Sequence, residues 1–144
     1  MPANALQAGI YGRLTGYSPL TNALGGSYVY DHVPQGTPSP YVRFGELTLI
    51  NSDTKTANGW EITFQTHCWT FEVAGAKTVQ TLMGHVFDAL HRAESSITVS
   101  GFTLVNIAWD FQTVIQETAE EGANDHYYHG IMRFRALISE TSNA

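Results

Sequence analysis

At 144 residues, 43% hydrophobic and 14% charged, the chain is the size of one ordinary domain and carries enough apolar material to bury a core, which excludes a disordered protein. A formal net charge of −6 argues against a general nucleic-acid binder, which needs a basic face. The single cysteine, Cys68, excludes an internal disulfide and a cysteine-rich metal site.

The start, MPANALQAGIYGRL, lacks the charged-then-apolar layout of a secretion signal, and no apolar run approaches the ~20 residues that span a bilayer. The expectation is a soluble chain, made in a reducing compartment and without a membrane partner. From Ala3 to about Leu14, apolar Leu6, Ile10 and Leu14 recur every four residues, the stripe of an amphipathic helix that Asn4 is placed to cap. Gly9 and Gly12 weaken that helix, so it needs tertiary support. Thr15 to Gly26, with Gly16, Pro19 and the Gly25-Gly26 pair, reads as a loop.

Tyr28 to Tyr30 reads as a short strand leading into Val29–Val42, VYDHVPQGTPSPYV, which holds three of the five prolines. Each proline fixes its own φ and pushes Val33, Thr37 or Ser39 before it towards extended geometry, giving two strand stubs joined by a stiff connection. Tyr41–Ile50 and Trp60–Phe71 are strands around the polar turn NSDTKTANG. In the second, Trp60, Ile62, Phe64 and Cys68 share one face and Glu61, Thr63, Gln65 and His67 the other. Trp69 and Phe71 break the alternation, which predicts an end covered on both sides.

Val79, Leu82, Met83, Val86, Phe87 and Leu90 make one full apolar face of a helix over about Ala74–Arg92. After a break at Glu94–Ser96, Ile97–Val99 reads as a short strand. Phe102–Glu117 reads as a long strand with Val105, Ile107, Trp109 and Phe111 on one face. The acidic loop TAEEGAND separates it from Tyr127–Ser139. There Tyr128, Met132, Phe134, Ala136 and Ile138 face one way, and His129, Arg133 and Arg135 the other. The predicted fold is a single α+β domain over residues 1–144: an antiparallel-rich mixed sheet, hairpin-type connections between consecutive strands, two main helices packed on one face, and a frayed tail from 140 to 144.

Six histidines raise a metal hypothesis that spacing weakens. His126 and His129 fall on opposite faces of a strand, adjacent His67 and Cys68 diverge, and His85 and His91 are far apart around their helix. Asp31-His32 and Asp125-His126 come without a nucleophile in a recognisable setting and suit turns, and Gly25-Gly26 lacks the Lys-Ser or Lys-Thr of a phosphate loop. No catalytic residue, cofactor or metal site is predicted, and the chain is not read as an enzyme. The densest acidic patch, Glu117, Glu120, Glu121 and Asp125, is either a solvated loop or a contact or repulsive loop of an oligomer. Arg133 and Arg135 either answer such carboxylates across a subunit boundary or are simple surface charges.

The phrases VYDHVPQGTPSPYVRFGE and HGIMRFRALI resemble the DUF3168 family of small tailed-phage proteins, the tail-completion or tail-terminator proteins of long-tailed phages and gene transfer agents. The likeness runs from the first helix to Ile138. Val29-Tyr30-Asp31, Val33-Pro34-Gln35-Gly36, Pro40-Tyr41-Val42 and Arg133-Phe134-Arg135 carry it. Ser39 departs from it, standing where a bulkier residue is expected.

The resemblance implies a structural virion protein, located at the head-proximal end of the tail and assembled in the host cytoplasm. It implies a ring, commonly hexameric, that caps the tail tube, with the major tail tube protein and a head–tail connector or neck protein as partners. Asp31, Pro34, Gln35, Gly36, Pro40, Tyr41, Arg133 and Arg135 become candidates for the subunit or tail interface. The acidic loop becomes a candidate lumen past which DNA slides without specific binding. Two alternatives stay open. One is a neck or head-closure protein. The other, from a different class, is a small-molecule-binding or hydrolytic α+β domain using the histidines.

Overall fold

The computed structural model describes residues 1–72, 76–118 and 126–140. Three helices, α1 (Ala3–Thr15), α2 (Ser18–Leu24) and α3 (Lys77–Leu90), accompany five strands, β1 (Val29–Tyr30), β2 (Tyr41–Asn51), β3 (Gly59–Glu72), β4 (Phe102–Thr118) and β5 (His126–Glu140), with a 3-10 turn at Glu94–Ser96. The strands form one mixed sheet in the order β1-β2-β3-β5-β4. β1 runs parallel to β2, and every other pair is antiparallel. This is the expected α+β class.

The helices lie on one face because the strands alternate. Ile62, Phe64 and Cys68 on β3 and Met132, Phe134, Ala136 and Ile138 on β5 are buried, and they meet Leu82, Met83, Val86 and Leu90 of α3 and Leu6, Ile10 and Leu14 of α1. Two glycines let the layers close. A Cβ on Gly9 would stand 2.3 Å from the carbonyl oxygen of Thr98, so α1 rests directly on that backbone. A Cβ on Gly130 would meet Met83 Sδ at 2.4 Å, so α3 sits over bare β5 backbone. The Gly9 that weakens α1 as an isolated helix is what seats it in the domain.

Several elements differ from the sequence reading. Asn4 lies inside α1, Pro2 precedes the helix, and no side chain caps it. The predicted loop contains α2, with Pro19 in its first turn, where a missing N–H costs nothing, and Gly25 closing it at φ 81°. Leu20 and Leu24, four apart, pin it to the core. Ile97 and Val99 are buried without forming a strand.

Val29–Val42 is not a hairpin. Val29 pairs with Val42 in parallel register, so Asp31–Pro40 must carry the chain back to the same end of the sheet. The return turns at Gly36, φ 80°, with the Thr37 N–H donated to the Pro34 carbonyl. Ser39 then has a definite job. Phe71 lies beyond the start of β2, so its amide has no strand partner there, and it donates to Ser39 Oγ at 3.0 Å. A bulkier apolar residue at Ser39 would leave that donor unmade.

β4 departs from simple alternation twice. Its register with β5 shifts between Leu104 and Asn106 and again between Trp109 and Phe111, each bulge adding one residue. Val105, Ile107, Trp109 and Phe111 therefore do not share a face: Ile107 is buried, whereas Phe111 is 46% exposed opposite Arg133. β4 is also an edge strand, and the segment after α3 occupies part of that edge. Glu94 Oε1 accepts the Ile107 N–H, the Ile107 carbonyl accepts the Arg92 N–H, and His91 Nδ1 accepts the Trp109 N–H.

Candidate functional site

All three helices cover one face of the sheet, and the other face is open. Its side chains are set by the cross-strand register. From β2 towards β4 one row runs Tyr41, Trp69, His129, Ile115, and the next runs Arg43, His67, Ile131, Thr113. Further along come Gln65, Arg133 and Phe111, then Thr63, Arg135 and Ala108, then Ile50, Glu61, Leu137 and Asn106. Phe111, Ile115, Tyr127, Leu137, Phe71 and Ile50 all stand exposed on this face. So many large apolar side chains on one side of one sheet mark a contact surface.

The charges on it are organised. Arg133 Nε donates to Asp110 Oδ2 at 2.7 Å, with its guanidinium over the Phe111 ring, and Arg135 Nε lies 3.0 Å from Glu61 Oε1. Asp110 is the extra residue of the second β4 bulge, so that bulge delivers the carboxylate to Arg133. Both arginines of the RFR phrase thus have carboxylate partners within the chain. Asp110 and Glu61 were not singled out in the sequence. Outward alternation marked Glu61, but nothing local marked the bulge.

At the β2 end, His67 and His129 meet. Antiparallel β3 and β5 place Trp69 opposite His129, which sets His67 diagonally beside it. His67 Nδ1 and His129 Nε2 are hydrogen-bonded, and His67 Nε2 lies 3.1 Å from Gln65 Oε1. Gln65 Oε1 can only accept, so His67 carries its proton on Nε2 and takes the His129 proton at Nδ1. Trp69 stacks on His129 with centroids 3.8 Å apart. Gly45 makes room below, since a Cβ there would fall 2.3 Å from His67 Nε2. Both nitrogens of His67 are therefore committed within the chain. Among the described residues no three His, Cys, Asp or Glu side chains gather as a metal set.

Burial holds His67 down to about 4, helped by the charges of Arg43 and His129. Burial also lowers His129, against the pull of Glu117. The unfolded chain takes up these protons near 6.5, so between pH 6.5 and 4 it binds more protons than the fold does. Stability is therefore complete above about pH 6.5 and falls as pH drops towards 4, by on the order of 2 kcal/mol once solvent at the edge of the pair is allowed for. Urea midpoints at pH 7.5 and 4.5 test this, and His67→Gln should flatten the difference. Equal slopes in both proteins would disprove the assignment. Cys68, pushed up to about 12 by complete burial, is no nucleophile.

Beside the pair lies a cleft of about 520 Å3, walled by Thr37–Ser39 of the proline loop and floored by Tyr41, Trp69, Phe71, Tyr127 and Glu117. The Phe71 and Tyr127 rings tilt together at 4.9 Å, and Trp69 meets Tyr127 edge-on at 6.4 Å. Of the predicted interface residues, Tyr41 is in this cleft, and the Ser39 contact holds Pro40 beside it. Pro34, Gln35 and Gly36 form the exposed tip of the loop, and Asp31 lines a separate hollow against Asn4 and Tyr11 of α1. Arg133 and Arg135 lie further along the open face, so the eight candidates do not form one patch. Glu117 is exposed, while Glu120, Glu121 and Asp125 lie outside the described residues, as do 141–144 of the predicted tail.

Comparison with known proteins adds a family to this geometry. The model of the tail completion protein gp17 family matches residues 8–139. No curated protein matches the chain. Among solved structures, a chain of the virion of a native gene transfer agent particle superposes with a TM-score of 0.77 at 27% identity, covering 96% of this chain and 97% of that one.

Proposed function

Because the chain belongs to the family of tail completion protein gp17, we propose that it is a non-enzymatic tail subunit that assembles as a ring, commonly a hexamer, on the head-proximal end of the tail tube. The likeness to a chain of a gene transfer agent virion points the same way, as does the resemblance of two sequence phrases to the DUF3168 family. The observation that carries the reading is the open sheet face, with its exposed Phe111, Ile115 and Leu137 among ordered Arg133–Asp110 and Arg135–Glu61 pairs.

The mechanism is geometric. A ring needs a surface for its neighbours and another that the tube's end subunits accept, and growth ends where the far side offers no such contact. The sheet edges suit an assembly that stops. β1 has two residues and β4 is bulged and partly occupied by the 91–94 segment, so neither edge templates an indefinite run of strands. The open face buries instead. The far side of the ring then offers the docking face for the head–tail connector. An acidic balance suits a lumen past which DNA slides.

Light scattering of the protein alone, and then with tail tube protein, tests the proposal. A concentration-dependent ring that binds tube ends and halts their growth is expected. A strict monomer that never caps tubes would sink it. Copurification with filled heads instead of tails would move the protein to the neck or head-closure position.

A further inference from the structure

The bonds of the His67–His129 pair fit neutral rings. Gln65 Oε1 accepts the proton on His67 Nε2, and His129 Nε2–H fills the remaining lone pair of His67, at Nδ1. A second proton on His67 would set N–H against N–H. The lone pair left to receive a proton is at His129 Nδ1, so acid enters the pair there.

Among the described residues, the charged and titratable groups facing the pair come from three strands. They are Tyr41 and Arg43 on β2, Glu117 on β4, and Tyr127 and Arg133 on β5. β3 adds Gln65, which does not titrate. Arg133 is already paired with Asp110. Arg43 lies opposite His67 in the β2–β3 register, with its guanidinium donating to the Phe44 carbonyl. Burial makes both rings hold a proton less tightly than a free histidine; Glu117 partly restores the affinity of His129, and Arg43 opposes it.

The pair keeps a small opening to water, His67 at 8% and His129 at 9% exposure, on the sheet face that no helix covers. Its rows run on to Ile131, Thr113 and Ile115, and Ile115 is 42% exposed. A copy seated over Ile115 closes that opening and removes the water that would solvate a charged His129. We propose that the pair is a proton-operated release for the ring: copies join through the open face while both imidazoles are neutral, and a proton on His129 parts them. This rests on the ring reading above and adds its regulation. The sign follows from burial. An assembled copy takes up the proton less readily than a free one, so acid draws copies out of the ring.

Mass photometry from pH 8 to pH 5 tests the release, with circular dichroism at each step to confirm the fold. The concentration needed for rings should rise in acid, by up to about tenfold per pH unit for one proton per copy. His129→Gln removes the lone pair that receives the proton, while its amide N–H can still be donated to His67. Its rings should form equally well across the range. Glu117→Gln, at an exposed position, removes the carboxylate that favours the charge, so its rings should persist to lower pH than those of the wild type. Wild-type rings that hold or tighten down to pH 5 would overturn the release and leave the ring standing. So would His129→Gln rings that weaken in acid as the wild type does. Rings lost only where the dichroism signal is lost would assign the effect to unfolding and overturn the release as well. A wild type that stays monomeric at pH 8, with and without tube protein, would overturn the ring reading and the release together.

Discussion

Phe134→Ala is expected to lower the unfolding free energy by roughly 3–5 kcal/mol, the range for truncating a fully buried phenylalanine. Phe134 is completely buried at the centre of β5, where it pairs with Phe64 on β3 and Trp109 on β4, and its ring stacks on Phe64 at 5.5 Å. Removing it opens a cavity under three strands at once, and the cross-strand backbone bonds resist the collapse that would refill it. A domain of ordinary stability has about 5–15 kcal/mol in total, so the variant should unfold at markedly lower urea or be recovered mostly insoluble. A loss below about 1 kcal/mol would mean that the strands do not meet over this residue as described.

The second large effect falls on assembly. Phe111→Asp combined with Ile115→Asp should weaken self-association by more than about a hundredfold, while the thermal midpoint moves by only a few degrees. Both residues are already exposed, 46% and 42%, so their loss removes little from the core. In a subunit contact over the open face, each aspartate would be buried without a partner, a cost greater than the lost apolar area. Light scattering separates this from unfolding, and circular dichroism confirms the fold. Unchanged assembly would show that the ring forms through another surface.

The two effects divide along the sheet: one side of each strand holds the domain together and the other is left for neighbours. The histidine pair belongs to the second side. It is held neutral by burial, carries the pH dependence of stability, and backs the cleft between the proline loop and Tyr127.

The alternation along β3 and β5 and the apolar stripe of α3 were readable in the sequence, because periods of 2 and 3.6 are local properties of the backbone. They determined the α+β class, the buried set around Phe64 and Phe134, and the outward placement of His67, His129, Arg133 and Arg135. The prolines of Val29–Val42 marked a stiff connection. The family phrases marked a tail protein.

What pairs with what was decided only by tertiary structure, because hydrogen bonds between strands join residues far apart in the chain. The β5 insertion between β3 and β4 brought His129 to His67, 62 positions away, and made a pair that spacing along one strand could never reveal. The second bulge in β4 turned Phe111 outward and delivered Asp110 to Arg133, since one inserted residue reverses every side chain after it. Parallel pairing of β1 with β2 made the stiff proline connection a wall clipped to β3 through Ser39. Gly9, a weakness by propensity, proved to be the contact point between α1 and the Thr98 backbone, because close approach of two backbones leaves no space for a side chain.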